Sequence, residues 1–321
     1  MFNAYVLVRN LDSGADQLDF GDFSLRPVGA RFQELRDVFS SKDVNRDDWI
    51  FEKSYTVPPP GPPGSPVGGI PQDLEELLLL FRLYKPGDLA FVRQAITPPG
   101  AGTVVQFPYR AMNDLNSYSV LRYQFAIDEC DPWRRFANGI KTSQSWNADW
   151  FTVARRLFLY GGAKEFNPKW DDVDRIVDYV TALEAALVPE MDFARKRISC
   201  RSAKLITTDP ARQATIASLV KRLYDARSSV VHGSKLSNDK RDWLIENCGQ
   251  VEVVVREALV AALQRVPADE AARKTMLADL CDPTDEDRGA FALQKFQEIR
   301  TDIVRNDIAE KIARVQRGNN S

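Results

Sequence analysis

A change in the pattern of apolar residues near residue 146 constrains the fold of this chain more than any other feature. Before it, short segments rich in β-branched and aromatic residues alternate with Gly, Pro and Asp, as in the strands of a mixed α/β domain. After it, apolar residues recur every three or four positions, as in amphipathic helices. We therefore predict an α+β protein, with a mixed α/β domain over residues 1–140, an all-α helical bundle over 146–266 and a helical extension over 267–321.

The first part is predicted to contain short strands and two helices. The strands are placed over residues 5–8, 18–23, 49–51, 90–92, 104–107 and 120–125, and the helices around 30–40 and 74–84. The Pro- and Gly-rich run over residues 58–71 is expected to form neither, because Pro lacks an N–H donor and Gly adds backbone freedom. We expect a mobile loop or linker there, with a polyproline ligand for a partner protein as the alternative.

The second part is predicted to be a succession of helices. They are placed over residues 170–187, 193–206, 211–232 and 243–266, with a further helix after Pro283. Gly233 is well placed as the left-handed residue that ends the third of these helices.

Composition excludes several kinds of protein. The four cysteines lie far apart and one histidine is present to complete a zinc site, so we expect no bound metal and no cofactor. The N-terminus has no basic segment followed by a long apolar run, and the apolar run over residues 77–81 is too short to span a bilayer. We expect a soluble protein of the reducing cytoplasm that contacts no membrane.

The single histidine, His232, is the one candidate for acid–base chemistry by an imidazole near neutral pH. It follows Arg227 by five residues, which places the two side chains about 140° apart on a helix. They do not share a helix face. They can meet on one substrate if the last turn unwinds, or if two chains face each other across a two-fold axis. Asp225, Ser228 and His232 do share a face, but we discount a hydrolytic triad because a helical Ser hydroxyl prefers the carbonyl four residues back.

Two charged residues lie among apolar positions of their predicted helices. Glu184 follows Val180 by four residues, and Arg227 follows Leu223 by four. Burying either charge alone costs several kcal/mol, so we expect Glu184 to pair with Arg227, or with Arg201 on the intervening helix. Such a pair either fixes the register of the helices or positions a guanidinium for a phosphate, and the pattern alone leaves both open.

The region around these residues is basic. Between residues 191 and 241 the chain carries twelve Lys and Arg against four Asp and Glu, although the whole chain has a formal net charge of −2. A solvated helix surface explains this bias, and so does a polyanionic substrate.

Three segments together resemble the Apea-like branch of the HEPN superfamily. They span residues 182–187, 201–205 and 223–233, and they contain Glu184, Arg201 and the Arg227-x4-His232-Gly233 motif in this order and spacing. The resemblance covers roughly residues 146–266. It implies an all-α HEPN bundle, usually a homodimer, whose Arg and His form a metal-independent RNA-cleaving centre at the dimer cleft.

By this resemblance Arg227 and His232 are the expected catalytic residues, with Glu184, Arg201, Tyr224 and Ser228 in support. Many HEPN nucleases carry Asn, Asp or His at the position of Ser228. The expected activity is endoribonucleolytic cleavage to a 2′,3′-cyclic phosphate, in a defence or stress response. The alternative is a non-catalytic HEPN module that binds RNA, nucleotide or a partner protein. The N-terminal domain matches no specific pattern, and we expect it to sense an unknown ligand or protein.

Overall fold

The structure is a computed structural model that describes residues 1–39, 44–100, 105–108, 122–163, 174–190, 192–284 and 287–289. The chain divides into two compact units, Met1–Leu280 and Cys281–Ser321. The first unit holds an antiparallel sheet followed by a series of helices, which confirms the predicted α+β class. Most of the second unit, including nearly all of the helix predicted after Pro283, lies outside the described residues.

The main sheet has six strands in the order β3-β4-β5-β1-β6-β7, and each neighbouring pair is antiparallel. These strands are β1 Phe2–Arg9, β3 Leu18–Asp19, β4 Phe23–Pro27, β5 Trp49–Tyr55, β6 Ala90–Thr97 and β7 Val105–Pro108. A separate parallel pair joins β2 Leu11–Asp12 to β8 Tyr123–Gln124. Residues 120 and 121 of the predicted strand over 120–125 lie outside the described residues.

The prediction of one strand over residues 18–23 is wrong. The chain turns between β3 and β4, where the Gly21 N–H donates to the Asp19 carboxylate at 2.8 Å. Gly21 has a φ of 89°, which a residue with a Cβ rarely adopts. Local turn chemistry therefore overrides the strand-like composition of this segment.

Nine helices are described within Met1–Leu280. They are α1 Phe32–Phe39, α2 Ile70–Tyr84, α3 Cys130–Lys141, α4 Asp149–Ala163, α5 Asp174–Leu187, α6 Ala194–Ile206, α7 Pro210–Val231, α8 Asn238–Arg265 and α9 Glu270–Leu280. Helix α3 is absent from the sequence prediction, although Cys130, Trp133, Ala137 and Ile140 are buried at helical spacing. Residues 170–173, the predicted start of α5, lie outside the described residues.

The Pro- and Gly-rich segment over residues 58–71 forms a compact loop up to Gly69, as expected, but its last two residues, Ile70 and Pro71, begin α2 and so correct the expectation that no part of it is helical. The Gly69 N–H donates to the Pro59 carbonyl at 2.7 Å, and Val67 is buried. A Cβ on Gly61 would lie 2.2 Å from the Gly68 carbonyl carbon, so the two arms of the loop touch through glycine. Pro71 lies in the first turn of α2, where its missing N–H removes no hydrogen bond.

The parts on either side of the predicted boundary at 140–146 share one core and are joined by buried polar contacts. The Arg82 guanidinium of α2 donates to the carbonyls of Leu159 and Gly162 at 2.9 and 3.0 Å. The Gly87 N–H donates to the Glu252 carboxylate of α8 at 3.0 Å. Because these groups have little access to water, each contact fixes α2 or the loop after it against the helices of the second part, α4 and α8. Within the described residues, no helix combines the length and apolar character needed to cross a membrane.

Candidate functional site

The predicted site residues cluster around the C-terminal half of α7. This helix begins at Asp209, whose carboxylate accepts from the N–H groups of Ala211 and Arg212. It ends at His232, whose N–H donates to the Ser228 carbonyl at 3.1 Å. Gly233 follows with a φ of 71°, which confirms the predicted left-handed residue. The Ser234 N–H reaches back to the Ser229 carbonyl at 2.9 Å, so a Schellman motif closes the helix.

The structure places Arg227 and His232 in different surroundings. His232 is exposed at the end of α7, next to Val231, an apolar side chain that is also exposed. Its imidazole forms no hydrogen bond or ion pair with the part of the chain that the structure describes. Arg227 is half-buried and turned toward α5. Arg227 is thus held by Glu184, whereas His232 has no described partner.

Arg227 contacts Glu184, as one of the two predicted pairings requires. Its Nη2 donates to Glu184 Oε2 at 3.2 Å, and the two side chains are 22% and 21% exposed. Its guanidinium carbon lies 5.9 Å from the centre of the Tyr224 ring, within range of a cation–π interaction. Its Nε is buried and has no acceptor among the described residues. Glu184 and Tyr224 thus hold one edge and one face of the guanidinium.

Burial controls the protonation of the groups beside Arg227. Loss of water raises the pKa of Glu184 above its ordinary value, although the positive charge of Arg227 opposes the shift. Burial also raises the pKa of Tyr224, and the negative charge of Glu184 adds to this effect. Tyr224 therefore stays protonated near neutral pH.

Arg201 does not contact Glu184, so the other predicted pairing is wrong. Its guanidinium is fully buried and donates to both oxygens of Glu190, at 2.8 and 3.0 Å, and to the Leu187 carbonyl at 2.7 Å. Glu190 lies three residues beyond the end of α5, outside any helical period, so the sequence pattern does not reveal it as the partner. The contacts of Arg201 connect α5 to α6 and lie within the bundle.

Asp225 is held elsewhere, so the discounted triad does not form. Both of its carboxylate oxygens accept hydrogen bonds from Arg195, from Nε and Nη2 at 2.5 Å each. The Ser228 hydroxyl forms no hydrogen bond with the described residues. Ser229 uses its hydroxyl to donate to the Asp225 carbonyl at 3.0 Å and to accept from Lys240 at 2.6 Å.

Most cations of the basic stretch are engaged within the chain. Arg197 contacts Glu190 and Asp192, Arg212 contacts Glu257, and Arg222 stacks 4.5 Å from the centre of the Trp243 ring. Lys221 and Lys235 are exposed and contact no acidic group among the described residues. The positive charge offered to solvent beside His232 is thus smaller than the composition indicates, and Lys235 carries part of it.

No group of three or more His, Cys, Asp or Glu side chains that could hold a metal ion occurs among the described residues. Comparison of the chain with protein-family models, with curated proteins and with solved structures finds no match.

Proposed function

We propose that this chain is a metal-independent endoribonuclease of the HEPN type. The observation that carries the proposal is that the single histidine of the chain, His232, is solvent-exposed at the end of the helix that also holds Arg227. The contact between Arg227 and Glu184 adds support, because it joins two of the segments on which the resemblance rests. An arginine held by a carboxylate and an aromatic ring presents its remaining N–H groups in a fixed direction.

The chemistry matches these two side chains. In the proposed reaction the 2′-oxygen of RNA attacks the adjacent phosphorus and the bond from phosphorus to the 5′-oxygen breaks. The 2′-hydroxyl loses a proton and the departing 5′-oxygen gains one. His232 takes or gives one of these protons, and Arg227 stabilises the added negative charge on the phosphate. The products are a 2′,3′-cyclic phosphate and a 5′-hydroxyl, and DNA is not cleaved because it lacks the 2′-hydroxyl.

In a homodimer, Arg227 of one chain and His232 of the other can face the same phosphate. Five residues along a helix separate Arg227 and His232 by about 7.5 Å in height and about 140° in direction. One phosphate does not meet both side chains of one chain in this arrangement. In the proposed dimer, residues 227–233 of two chains face each other across a two-fold axis, and the exposed side chain of Val231 is buried between them.

The test compares RNA cleavage by the wild type, His232→Ala, Arg227→Ala and Lys221→Ala. Lys221 is an exposed cation of the same helix without a described partner, so its loss controls for charge alone. We expect cleavage to be lost in the first two variants, kept in the third, and unaffected by EDTA. Circular dichroism checks that each variant keeps its helical content. Full cleavage by folded His232→Ala contradicts the proposal.

Sedimentation measures the assembly separately. We expect a dimer at micromolar concentration, weakened by Val231→Asp, which places a charge in the proposed interface. A strictly monomeric and fully active enzyme contradicts the composite site and requires the last turn of α7 to unwind instead.

One observation favours the alternative of a non-catalytic HEPN module that binds RNA, nucleotide or a partner protein. The His232 imidazole has no orienting partner among the described residues, whereas catalytic imidazoles are commonly held by a second group. RNA binding by a mobility-shift assay without any cleavage product supports this alternative. We further propose that the protein acts in the cytoplasm, in a defence or stress response.

A further inference from the structure

The carboxylate that holds Arg227 lies in the last turn of α5, at Glu184. The last carbonyls of a helix have no N–H partner within it, so they need donors from elsewhere. The Glu184 carbonyl accepts from the Val188 N–H at 2.9 Å. The next carbonyl, that of Ala185, faces residue 189 in the helical pattern, but Pro189 has no N–H. This turn therefore depends on a donor from another part of the chain.

Arg273 of α9 supplies this donor. Its Nη2 donates to the Ala185 carbonyl at 2.5 Å and to the Ala186 carbonyl at 3.2 Å. Arg201 of α6 donates to the Leu187 carbonyl at 2.7 Å. Two arginines thus bind the carbonyls of the last three residues of α5. Positive charge at this end of a helix also interacts favourably with the helix dipole.

The Arg273 side chain is itself held in place. It is buried, and its guanidinium carbon lies 5.5 Å from the centre of the Trp150 ring, within range of a cation–π interaction. Its Nη1 donates to the Glu270 carboxylate at 2.8 Å. A planar guanidinium held on one face and at one nitrogen has little freedom left. Arg273 therefore presents Nη2 to the end of α5 in a fixed direction.

The capping of α5 bears directly on the contact between Glu184 and Arg227. Ala186 is fully buried, so loss of the Arg273 guanidinium leaves carbonyls without a donor in a place that water reaches poorly. Unwinding of the last turn exposes these carbonyls to water and relieves that cost. Glu184 is the first residue of this turn, and one described hydrogen bond of 3.2 Å joins it to Arg227. Unwinding by a single turn therefore releases Arg227.

From these contacts we propose that Arg273 is a positioning residue of the candidate site, which caps the last turn of α5 and thereby holds Glu184 against Arg227. Its role in RNA cleavage rests on the proposed function, whereas its hold on Glu184 does not. Arg273 lies beyond residues 146–266, the part of the chain that carries the family resemblance. Helix α9 therefore belongs to the cleaving module, although the sequence assigns it to a separate extension.

The coupling between Glu184 and Arg227 tests this role without RNA. A double-mutant cycle in urea measures it as a fold-change in the unfolding equilibrium constant of the full chain. We expect about fivefold in the wild type and in Arg273→Lys, which keeps a charged donor, and less than about twofold in Arg273→Met, which keeps only the apolar stem. Arg256→Met is the matched control, because Arg256 donates to two carbonyls in the last turn of α2 and its described hydrogen bonds and ion pair reach no residue of α5. This control should keep the fivefold coupling even where it loses stability.

RNA cleavage then relates this role to the reaction. Arg273→Met should lower kcat about tenfold with a smaller change in KM, because Arg227 acts on charge that develops in the transition state, whereas Arg273→Lys and Arg256→Met should cleave like the wild type. A wild type that cleaves no RNA contradicts the proposed function, and the coupling then decides on Arg273 alone. Retention of the fivefold coupling in Arg273→Met, or its absence from the wild type, overturns the inference.

Hydrogen exchange in the wild type decides the matter if Arg273→Met does not fold. The Val188 N–H reports on the last turn, because it donates to the Glu184 carbonyl. We expect this amide to be protected as strongly as the amides in the middle of α5, as measured by NMR. Exchange of the Val188 amide at the rate of an open chain shows that the turn is not held, and it overturns the inference.

Discussion

Replacing Glu184 by Ala tests how much the pair between α5 and α7 stabilises the bundle. Exposed ion pairs contribute about 0–1 kcal/mol, and breaking a fully buried pair costs about 3–5 kcal/mol. The Glu184 and Arg227 side chains are 21% and 22% exposed, so the pair lies between these limits. The substitution also leaves Arg227 Nη2 without this acceptor, in addition to the Nε that already lacks one. We expect a loss of about 1–2 kcal/mol in the free energy of unfolding.

Urea denaturation followed by circular dichroism at pH 7 measures this loss. Glu246→Ala is the matched control, because Glu246 is exposed on α8 and forms no described ion pair. A double-mutant cycle with Arg227→Ala isolates the pairwise contribution, expected at about 1 kcal/mol. A change below about 0.3 kcal/mol in Glu184→Ala shows that the pair is dispensable, and one above about 3 kcal/mol shows that it behaves as fully buried. Either result refutes the reasoning from partial exposure.

The pH dependence tests the direction of the pKa shift. Folding raises the pKa of Glu184 above its unfolded value of about 4.3. The stabilisation linked to its protonation is therefore fully present below about pH 4.3, and it is lost as the pH rises through the pKa of the folded state. Glu184→Gln does not titrate at this position. The wild type should therefore gain stability relative to Glu184→Gln as pH falls from 7 toward 4. A relative loss on acidification shows that attraction by Arg227 outweighs burial.

Three further substitutions separate buried from exposed interactions. Arg201→Ala removes a fully buried guanidinium from Glu190 and should cost about 3–5 kcal/mol in urea denaturation, and a cost below about 1 kcal/mol contradicts the buried pair. Arg195→Ala removes a pair whose arginine is 45% exposed and should cost no more than about 1 kcal/mol by the same measurement, so a larger loss reveals a hidden structural role. Gly87→Ala should lower the melting temperature sharply, because Gly87 has a φ of 137° and a Cβ there would lie 2.8 Å from the Tyr123 backbone. An unchanged melting temperature would show that the backbone around Gly87 accommodates the added methyl group.

The sequence by itself determines those features that depend on neighbours along the chain. The ends of α7 follow from Asp209 and Gly233, because a cap hydrogen bond and a left-handed residue act within one turn of helix. The core strand β1 and the helices α6 and α7 follow from apolar spacing, which reflects the geometry of each element alone. The expected separation of Arg227 from His232 rests on the same helical geometry.

The tertiary structure alone decides which distant groups meet. Glu184 has two candidate arginines in the sequence, and Arg227 is the partner because Arg201 is already held by Glu190. The order of strands and the aromatic cluster around Trp133 also join segments that are far apart in the chain. Local patterns indicate which face of an element is apolar, but the pairing of two such faces is set by packing against every other element at once. For that reason the residues of α7 can be recognised in the sequence, whereas their partners can be recognised only in the fold.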